Sequence, residues 1–432
     1  MPNNRYKVAV IGAGFAGLSA AKELSKYDEF EICLIDRNNY HTFLPLLYQV
    51  AAAELESEDI TSPLRGHFRK NRRVAVMHCR VAEIDHANKT LHTDGPDIRY
   101  DYLIMSMGST TEFFGTPGAE KFAFTLKSLE DAVRLRSHIL SCFEQASLYS
   151  DAHPTIYPNV SGQDKTDRQS ALKHIIIIGG GPNGAEFAGA LSELVRTSIY
   201  RDFPEFDRNS VQITLLEAAP NLLAGFPPLL AGYVRERLEK MDVTVKLNAA
   251  VTEIRKDGAV LKDGTFLPSE TVVWTAGVRA TDLAAETGFA AGKSGRIHVL
   301  PTLQIANRAE IFVAGDLSLP EGETVPPMVA PNAIQQGIHA ARNLVRLVRK
   351  QELQPFVYHD KGSMAVVGRG AAAVRIGTRT LTGTIAWLVW LAVHLTYLVG
   401  FHNRLMVMFN WAWDYFVAER SVRLIFRSWK ER

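Results

Sequence analysis

The sequence predicts an α/β protein, with two parallel sheets wrapped by helices and a helical tail behind them. Three observations predict it. A strand, a glycine-rich turn, a helix and a second strand open the chain over 6–36. The same order of elements returns over 173–217. Between Arg379 and Arg404 there is no Asp, Glu, Lys or Arg, which is unusual for the end of a soluble domain. Strands that alternate with helices build parallel sheets covered on both faces.

In the first unit the strand Tyr6–Ile11 runs into Gly12-Ala-Gly14-Phe-Ala-Gly17, then a helix to about Lys26, then a strand over 31–35 that ends on Asp36. The second unit has a strand over 173–178, then Gly179-Gly-Gly181-Pro-Asn-Gly184, a helix, and a strand over 211–216 that ends on Glu217. The polar stretch 151–170, with Pro154, Pro158 and Gly162, reads as a surface loop. A polar insertion over 201–209 lengthens the second helix-to-strand connection. Further strand signals lie at 102–107, Thr271–Trp274 and 311–313, and the chain after about Leu381 reads as helix.

With 432 residues the chain is long enough for two or three domains. Its formal net charge of +2 implies no polyanion, so no nucleic acid is expected as a partner. Cys33, Cys79 and Cys142 are too scattered for a disulfide framework or a cysteine-rich metal site. Each reads as core filler, which disfavours thiol chemistry and fits a reducing compartment. There is no zinc or serine-hydrolase pattern, and no metal is expected. Val8 already belongs to an apolar strand, which leaves no room for a signal peptide. The protein is expected to stay on the side of the membrane where it is made.

The two glycine turns carry the chemistry. The pyrophosphate of a dinucleotide is held where a glycine turn lets the backbone come close and the free N–H groups of a helix N-terminus face the phosphates. Gly12 makes the tight turn, Gly14 permits the approach, Gly17 lets helix and strand pack, and Asp36 accepts from ribose hydroxyls. Gly179, Gly181, Gly184 and Glu217 repeat the pattern. A tight turn without a ligand is the bland alternative, and the strand–turn–helix context with an acid in place argues against it at both positions. Glu217 repels a 2′-phosphate, so NADH is expected over NADPH unless Arg196 or Arg201 folds back. Two such sites in one chain suit a tightly held, non-covalent flavin, FAD, and a hydride donor, NADH, that comes and goes as substrate. The N-terminal site is expected to take the flavin.

On these motifs the chain resembles the two-dinucleotide-domain flavoproteins, and within them the type II, single-subunit, non-proton-pumping NADH:quinone oxidoreductases. Four segments carry the resemblance: His41-Thr-Phe-Leu-Pro-Leu-Leu-Tyr-Gln-Val50, Thr275-Ala-Gly277, Ile311-Phe-Val-Ala-Gly-Asp316 and Val329-Ala-Pro-Asn-Ala-Ile-Gln-Gln-Gly337. The resemblance implies two Rossmann-like dinucleotide-binding domains of glutathione-reductase-like fold plus a C-terminal helical membrane anchor. It implies a discontinuous FAD-binding domain over 1–115 and 290–378, an NADH-binding domain over 116–289 and an anchoring tail over 379–432. Gly315 and Asp316 would belong to the second FAD motif, with Asp316 on the ribityl chain; by its chemistry alone Asp316 could be a turn residue. Gln335 would contact the quinone, because Pro331 stands where the family's pattern often has its first Gln. Glu186 would lie near nicotinamide and flavin, although a solvent-facing acid complementing the helix dipole is the plainer reading. Lys361 would lie near the quinone tunnel, whereas a lone lysine is ordinarily a solvated surface charge.

The tail reads as a membrane device. The stretch 381–401 is long enough to cross the hydrocarbon core as one helix, yet it contains Thr382, Thr384, His394 and Thr396. Beyond it, Leu405, Met408, Phe409, Ala412, Trp413 and Phe416 form one greasy stripe on a helix. Arg420, Arg423, Arg427, Lys430 and Arg432 outnumber Glu419 and Glu431, and Trp387, Trp390, Trp411, Trp413 and Trp429 suit the headgroup region. An amphipathic hairpin lying in one leaflet accounts for more of these features than a single span does. Burial of the stripe in a homodimer interface is compatible with either, and a homodimer is expected. The expected setting is peripheral, on the cytoplasmic face of the cell membrane or on an inner organellar membrane. A membrane quinone would be the acceptor, without proton pumping. Two other functions share both fingerprints: reduction of a small soluble iron–sulfur carrier, and a non-catalytic redox sensor or scaffold that binds NADH.

Overall fold

Four consecutive β-branched residues, Ile175 to Ile178, are all buried, as expected of a strand in a parallel sheet covered on both faces. Val8, Ala9, Val10 and Ile11 are buried in the same way. A computed structural model, which describes residues 5–149, 163–322, 325–417, 420 and 422–426, builds a sheet around each of these strands. The chain divides into two compact units. One comprises Met1–Thr42, Ser62–Thr110 and Val278–Lys361; the other comprises Phe43–Thr61, Thr111–Gly277 and Gly362–Arg432.

In the first unit the strands lie in the order Gln304–Ile305, Arg308–Val313, Tyr102–Met105, Tyr6–Ile11, Phe30–Asp36 and Val74–His78. The first pair is antiparallel and the rest are parallel. Tyr6 pairs with Phe30 and Ile11 with Ile35, so the turn after Ile11 and the acid after Ile35 emerge at the same edge of the sheet. The helix Phe15–Leu24 buries Ala16, Ala20, Ala21 and Leu24 and packs on the helix Ala330–Val348. Fully buried side chains such as Leu24, Ile32, Leu34 and Ile35 each stabilise this core by roughly 1.5–3 kcal/mol.

In the second unit the strands Phe124–Thr125, Thr271–Trp274, His174–Ile178, Gln212–Leu216 and Val243–Lys246 are parallel throughout. The helix Leu129–Leu148 starts at a capping box in which Ser128 Oγ accepts from Asp131 N at 3.1 Å. The expected loop over 151–170 is corrected in part. A helix, Gln163–Leu172, occupies its second half and buries Leu172, a single apolar anchor that its polar composition conceals; 151–162 lie outside the described residues. The insertion after the helix Pro182–Leu194 holds a π-helical turn, Val195–Ile199, and a short helix, Tyr200–Asp202.

The tail forms two helices, Gly383–Tyr397 and Phe401–Val417, and both belong to the second unit. The expected division at 379 is therefore not a division between compact units. Nor do 43–61 group with the first unit, and the reason lies in the hydrogen bonds. Trp411 Nε1 donates to Gln49 Oε1 at 3.0 Å, Asn410 Nδ2 to Asp59 Oδ2 at 2.8 Å, and Asn403 Nδ2 to the Thr61 carbonyl at 2.5 Å. The helix Gly383–Tyr397 has 15 residues, which at about 1.5 Å each span about 22 Å, short of a hydrocarbon core of about 30 Å. No helix among the described residues is long and apolar enough to cross a membrane.

Three residues counted for the membrane surface are turned inward. Trp390 and Trp411 are buried, and Arg420 is 1% exposed because it meets Glu54 and Glu193. Arg423 pairs with Asp202 at 2.7 Å. Glu419, Arg427, Trp429, Lys430, Glu431 and Arg432 lie outside the described residues. The stripe itself faces out: Phe416 is 81% exposed, Met408, Phe409, Ala412 and Trp413 are exposed, and Leu405 is half-buried; Phe401, ahead of the stripe, is also 81% exposed.

Candidate functional site

The first glycine turn is built by backbone. Gly12 has φ +89°, and Ser106 Oγ donates to the carbonyls of Ile11 at 2.7 Å and Gly12 at 3.0 Å. A Cβ at Gly17 would strike the Gly12 carbonyl and the Ser106 hydroxyl, so helix and turn touch only because Gly17 has none. Nothing lies within 4 Å of where a Cβ of Gly14 would be, and no side chain caps the helix that starts there. The N–H groups of its first turn are thus left for an anion. Asp36 Oδ2 accepts from Ala13 N at 2.6 Å and Oδ1 from Asn38 N at 2.8 Å; burial pushes its carboxyl above the usual range while these bonds oppose the shift. His41 Nδ1 lies 2.9 Å from the Ala13 carbonyl, and its buried Nε2 has no protein partner among the described residues. Burial lowers its pKa, which keeps it neutral. An open cradle, uncapped N–H groups and an orphaned buried ring nitrogen fit a dinucleotide.

The second turn repeats the first atom for atom within its own unit. Gly179 has φ +107°, and Thr275 Oγ1 donates to the carbonyls of Ile178 at 2.9 Å and Gly179 at 3.0 Å. A Cβ at Gly184 would strike the Gly179 carbonyl, while Gly181 faces open space. Glu217 Oε2 accepts from Gly180 N at 2.6 Å and Oε1 from Ala219 N at 2.8 Å, the pattern of Asp36. Ser106 and Thr275 have the same role. Sequence reasoning passed over Ser106 and placed Thr275 by resemblance alone, although each stands just after an apolar strand.

In the first unit Ser109 Oγ donates to Asp316 Oδ2 at 2.6 Å, and Gly315, with φ +81°, gives its N–H to Gln336 Oε1 at 2.7 Å. Gln336 is fully buried and was not foreseen; it fixes the Gly315 turn from inside. Its neighbour Gln335 spends both ends of its amide on the His359 backbone, at 3.0 Å each. Pro331 sits in the first turn of its helix, where a missing N–H costs nothing. Lys361 is exposed.

Glu186 is not the solvent-facing acid that the helix dipole alone would suggest. It is 9% exposed, and burial pushes its carboxyl up to about 8; the Val366 N–H at 3.3 Å and the Trp390 indole only partly offset this. It lines a cavity of about 40 Å³ in the second unit together with Glu54, Glu193, Asp414 and Arg420. The three cysteines are free, and burial raises the Cys33 and Cys142 thiols to about 11, away from thiolate chemistry.

Two repeated dinucleotide cradles define a class, and residues 6–337 match the pyridine nucleotide-disulphide oxidoreductase family. The chain is 36% identical over 435 residues to the type II NADH:quinone oxidoreductase Ndh of Mycobacterium tuberculosis, covering 97% of this chain and 90% of that one. It is 31% identical to a type II NADH:quinone oxidoreductase of Staphylococcus haemolyticus, over 89% and 92% of the two chains. The structure of NDH2 from Plasmodium falciparum in complex with NADH superposes with a TM-score of 0.86 over 98% of this chain and 100% of that chain. At 18% identity that likeness shows the fold.

The chain belongs to the type II NADH:quinone oxidoreductases. It is an FAD-dependent enzyme that passes electrons from NADH to a quinone without pumping protons. The readings as an iron–sulfur-carrier reductase and as a non-catalytic sensor are thereby set aside.

Proposed function

We propose that the first glycine turn holds FAD, that the second receives NADH, and that the tail lies along one face of the membrane so that quinone is taken from the lipid. The repeat of the two cradles, down to the Ser106 and Thr275 hydroxyls, is the observation that carries this. When bound, FAD supplies a two-electron relay between NADH and quinone. The N–H groups after Gly14 hold the pyrophosphate of FAD, Asp36 accepts from its ribose, and Gly315 and Asp316 hold the ribityl chain. Gly181 and Gly184 give NADH the same close approach, and Glu217 accepts the ribose 2′-hydroxyl and repels a 2′-phosphate. Glu186 keeps a proton on its carboxyl at neutral pH, in a setting shielded from bulk water. Gln335 clamps the His359 backbone, and the exposed Lys361 follows two residues further along the chain.

The outward apolar stripe of the tail supports an in-plane anchor, since a helix exposing Phe401, Phe409, Trp413 and Phe416 has its greasy side toward solvent or lipid. The enzyme is then peripheral, on the membrane face where the chain is made, and works as a homodimer.

The cofactor assignment is tested by two glycine variants. Gly17→Val closes the first cradle and yields colourless protein. Gly184→Val yields yellow protein that NADH no longer bleaches under argon. A Gly184→Val protein that bleaches at the parent rate would remove NADH from the second turn.

A further inference from the structure

The cavity beside Glu186 is polar to an extent that packing alone does not explain. The Pro182–Leu194 helix contributes Glu186 and Glu193, the segment after Leu47–Ala51 contributes Glu54, and the hairpin after Ser363–Val366 contributes Arg369. The tail contributes Asp414 and Arg420. Glu193 is fully engaged: Oε1 accepts from Arg369 N at 2.6 Å, and Oε2 from Arg420 Nη2 at 3.2 Å. Arg420 Nη1 donates to the Ala52 carbonyl at 2.8 Å and Nη2 lies 3.5 Å from Glu54.

The remaining groups are underused. Asp414 Oδ2 and Arg420 Nε are buried and have no hydrogen-bond partner among the described residues, yet both residues line the cavity. Buried polar atoms are seldom left unpaired, and about 40 Å³ of polar space holds roughly two or three waters. One amide ties the wall together. Gln49 Nε2 donates to Tyr48 Oη at 3.2 Å and to Glu54 Oε1 at 3.1 Å, while Trp411 holds its carbonyl end. Trp411 and Asp414, three residues apart on the tail helix, share a face.

Reduction of a quinone takes two electrons and two protons. NADH supplies a hydride, which brings two electrons and one proton, so one further proton enters from solution in each turnover. We propose that this cavity is the route for that proton: water held between Asp414, Glu54 and Glu186 carries it along the wall, past the Tyr48 hydroxyl, to the Glu186 carboxyl. The proposal rests on the reading that quinone is the acceptor and that Glu186 keeps a proton on its carboxyl at neutral pH. Burial raises all three carboxyls, Asp414 to about 6, Glu54 to about 7 and Glu186 to about 8, so each can take up and release a proton near neutral pH. Arg420 and Arg369 hold the Asp414 and Glu54 values down, Glu193 opposes them, and Tyr48 stays neutral because burial raises its pKa. His394, stacked on Trp390 at 4.0 Å, is lowered to about 4 and adds no charge.

The test uses the full chain with FAD bound. In Glu54→Gln and Asp414→Asn, bleaching by NADH should stay within about twofold of the parent, whereas recovery of colour with quinone at neutral pH should slow by about tenfold or more, as loss of a proton-transfer group does. The pH profile of recovery should shift as well, and Glu54→Asp should restore most of the rate; a purely structural role predicts neither. If Glu54→Gln does not retain FAD, Asp414→Asn alone decides. Parent-like recovery with an unchanged pH profile would overturn the proposal. Failure of the parent protein itself to recover with quinone would instead overturn the reading it rests on.

Discussion

Glu186 shows how a single burial changes what a residue can do. Near a helix start an acid in water is ionised and complements the dipole; behind Val366 and Trp390 it keeps its proton to about 8. The unfolded chain ionises this carboxyl near 4.5. Its contribution to stability is therefore whole below that value and is lost as pH rises through about 8. Gln has the same shape and does not titrate. Glu186→Gln should thus gain stability over the parent as pH rises from about 5 to about 8, by on the order of a few kcal/mol and several degrees in Tm. Melting curves of the two FAD-loaded proteins across that range check it. A difference that stays flat with pH would mean that the carboxyl is already ionised in the folded protein.

At the level of elements, the tail helices reverse the usual arrangement of a surface helix. The helix Phe401–Val417 turns Trp411 and Asp414 inward and Phe409, Trp413 and Phe416 outward. Removing the chain after Gly377 would take away the anchor, but also Trp390 and Trp411, which close over the cavity; loss of activity would then have two causes. Serine at Phe409 and Phe416 separates them, because both side chains are exposed and line nothing within the unit. The doubly substituted protein should no longer float with anionic vesicles and should lose most of its NADH oxidation with a long-chain quinone held in them. Its rate with a short-chain, water-soluble quinone should change by less than about twofold, since the buried face is intact. Flotation like that of the parent would show that the stripe is not the anchor.

For the molecule as a whole, legibility in the sequence followed the range of the interactions. Both cradles were legible because strand, turn, helix and acid lie close together along the chain, and Gly17 and Gly184 are demanded by the carbonyls of Gly12 and Gly179 a few residues before them. The outward stripe was legible for the same reason, since it is one helix's own periodicity. Burial of Arg420 and Trp411 was not, because it depends on partners such as Glu193 and Gln49 that lie far off in sequence. Gln336 was hidden differently: Gln335 and Gln336 are adjacent and alike, and only the helix phase decides which one turns in toward Gly315. The central claim is that one chain takes electrons from NADH on its second cradle and yields them, through FAD on its first, to a quinone. Anaerobic double mixing tests this most directly: the purified yellow protein is mixed with one equivalent of NADH and then with a short-chain quinone, with colour followed throughout. The account predicts complete bleaching in the first mix and full return of colour in the second, with one quinol formed per NADH. Bleached protein that stays bleached in the presence of quinone would contradict it.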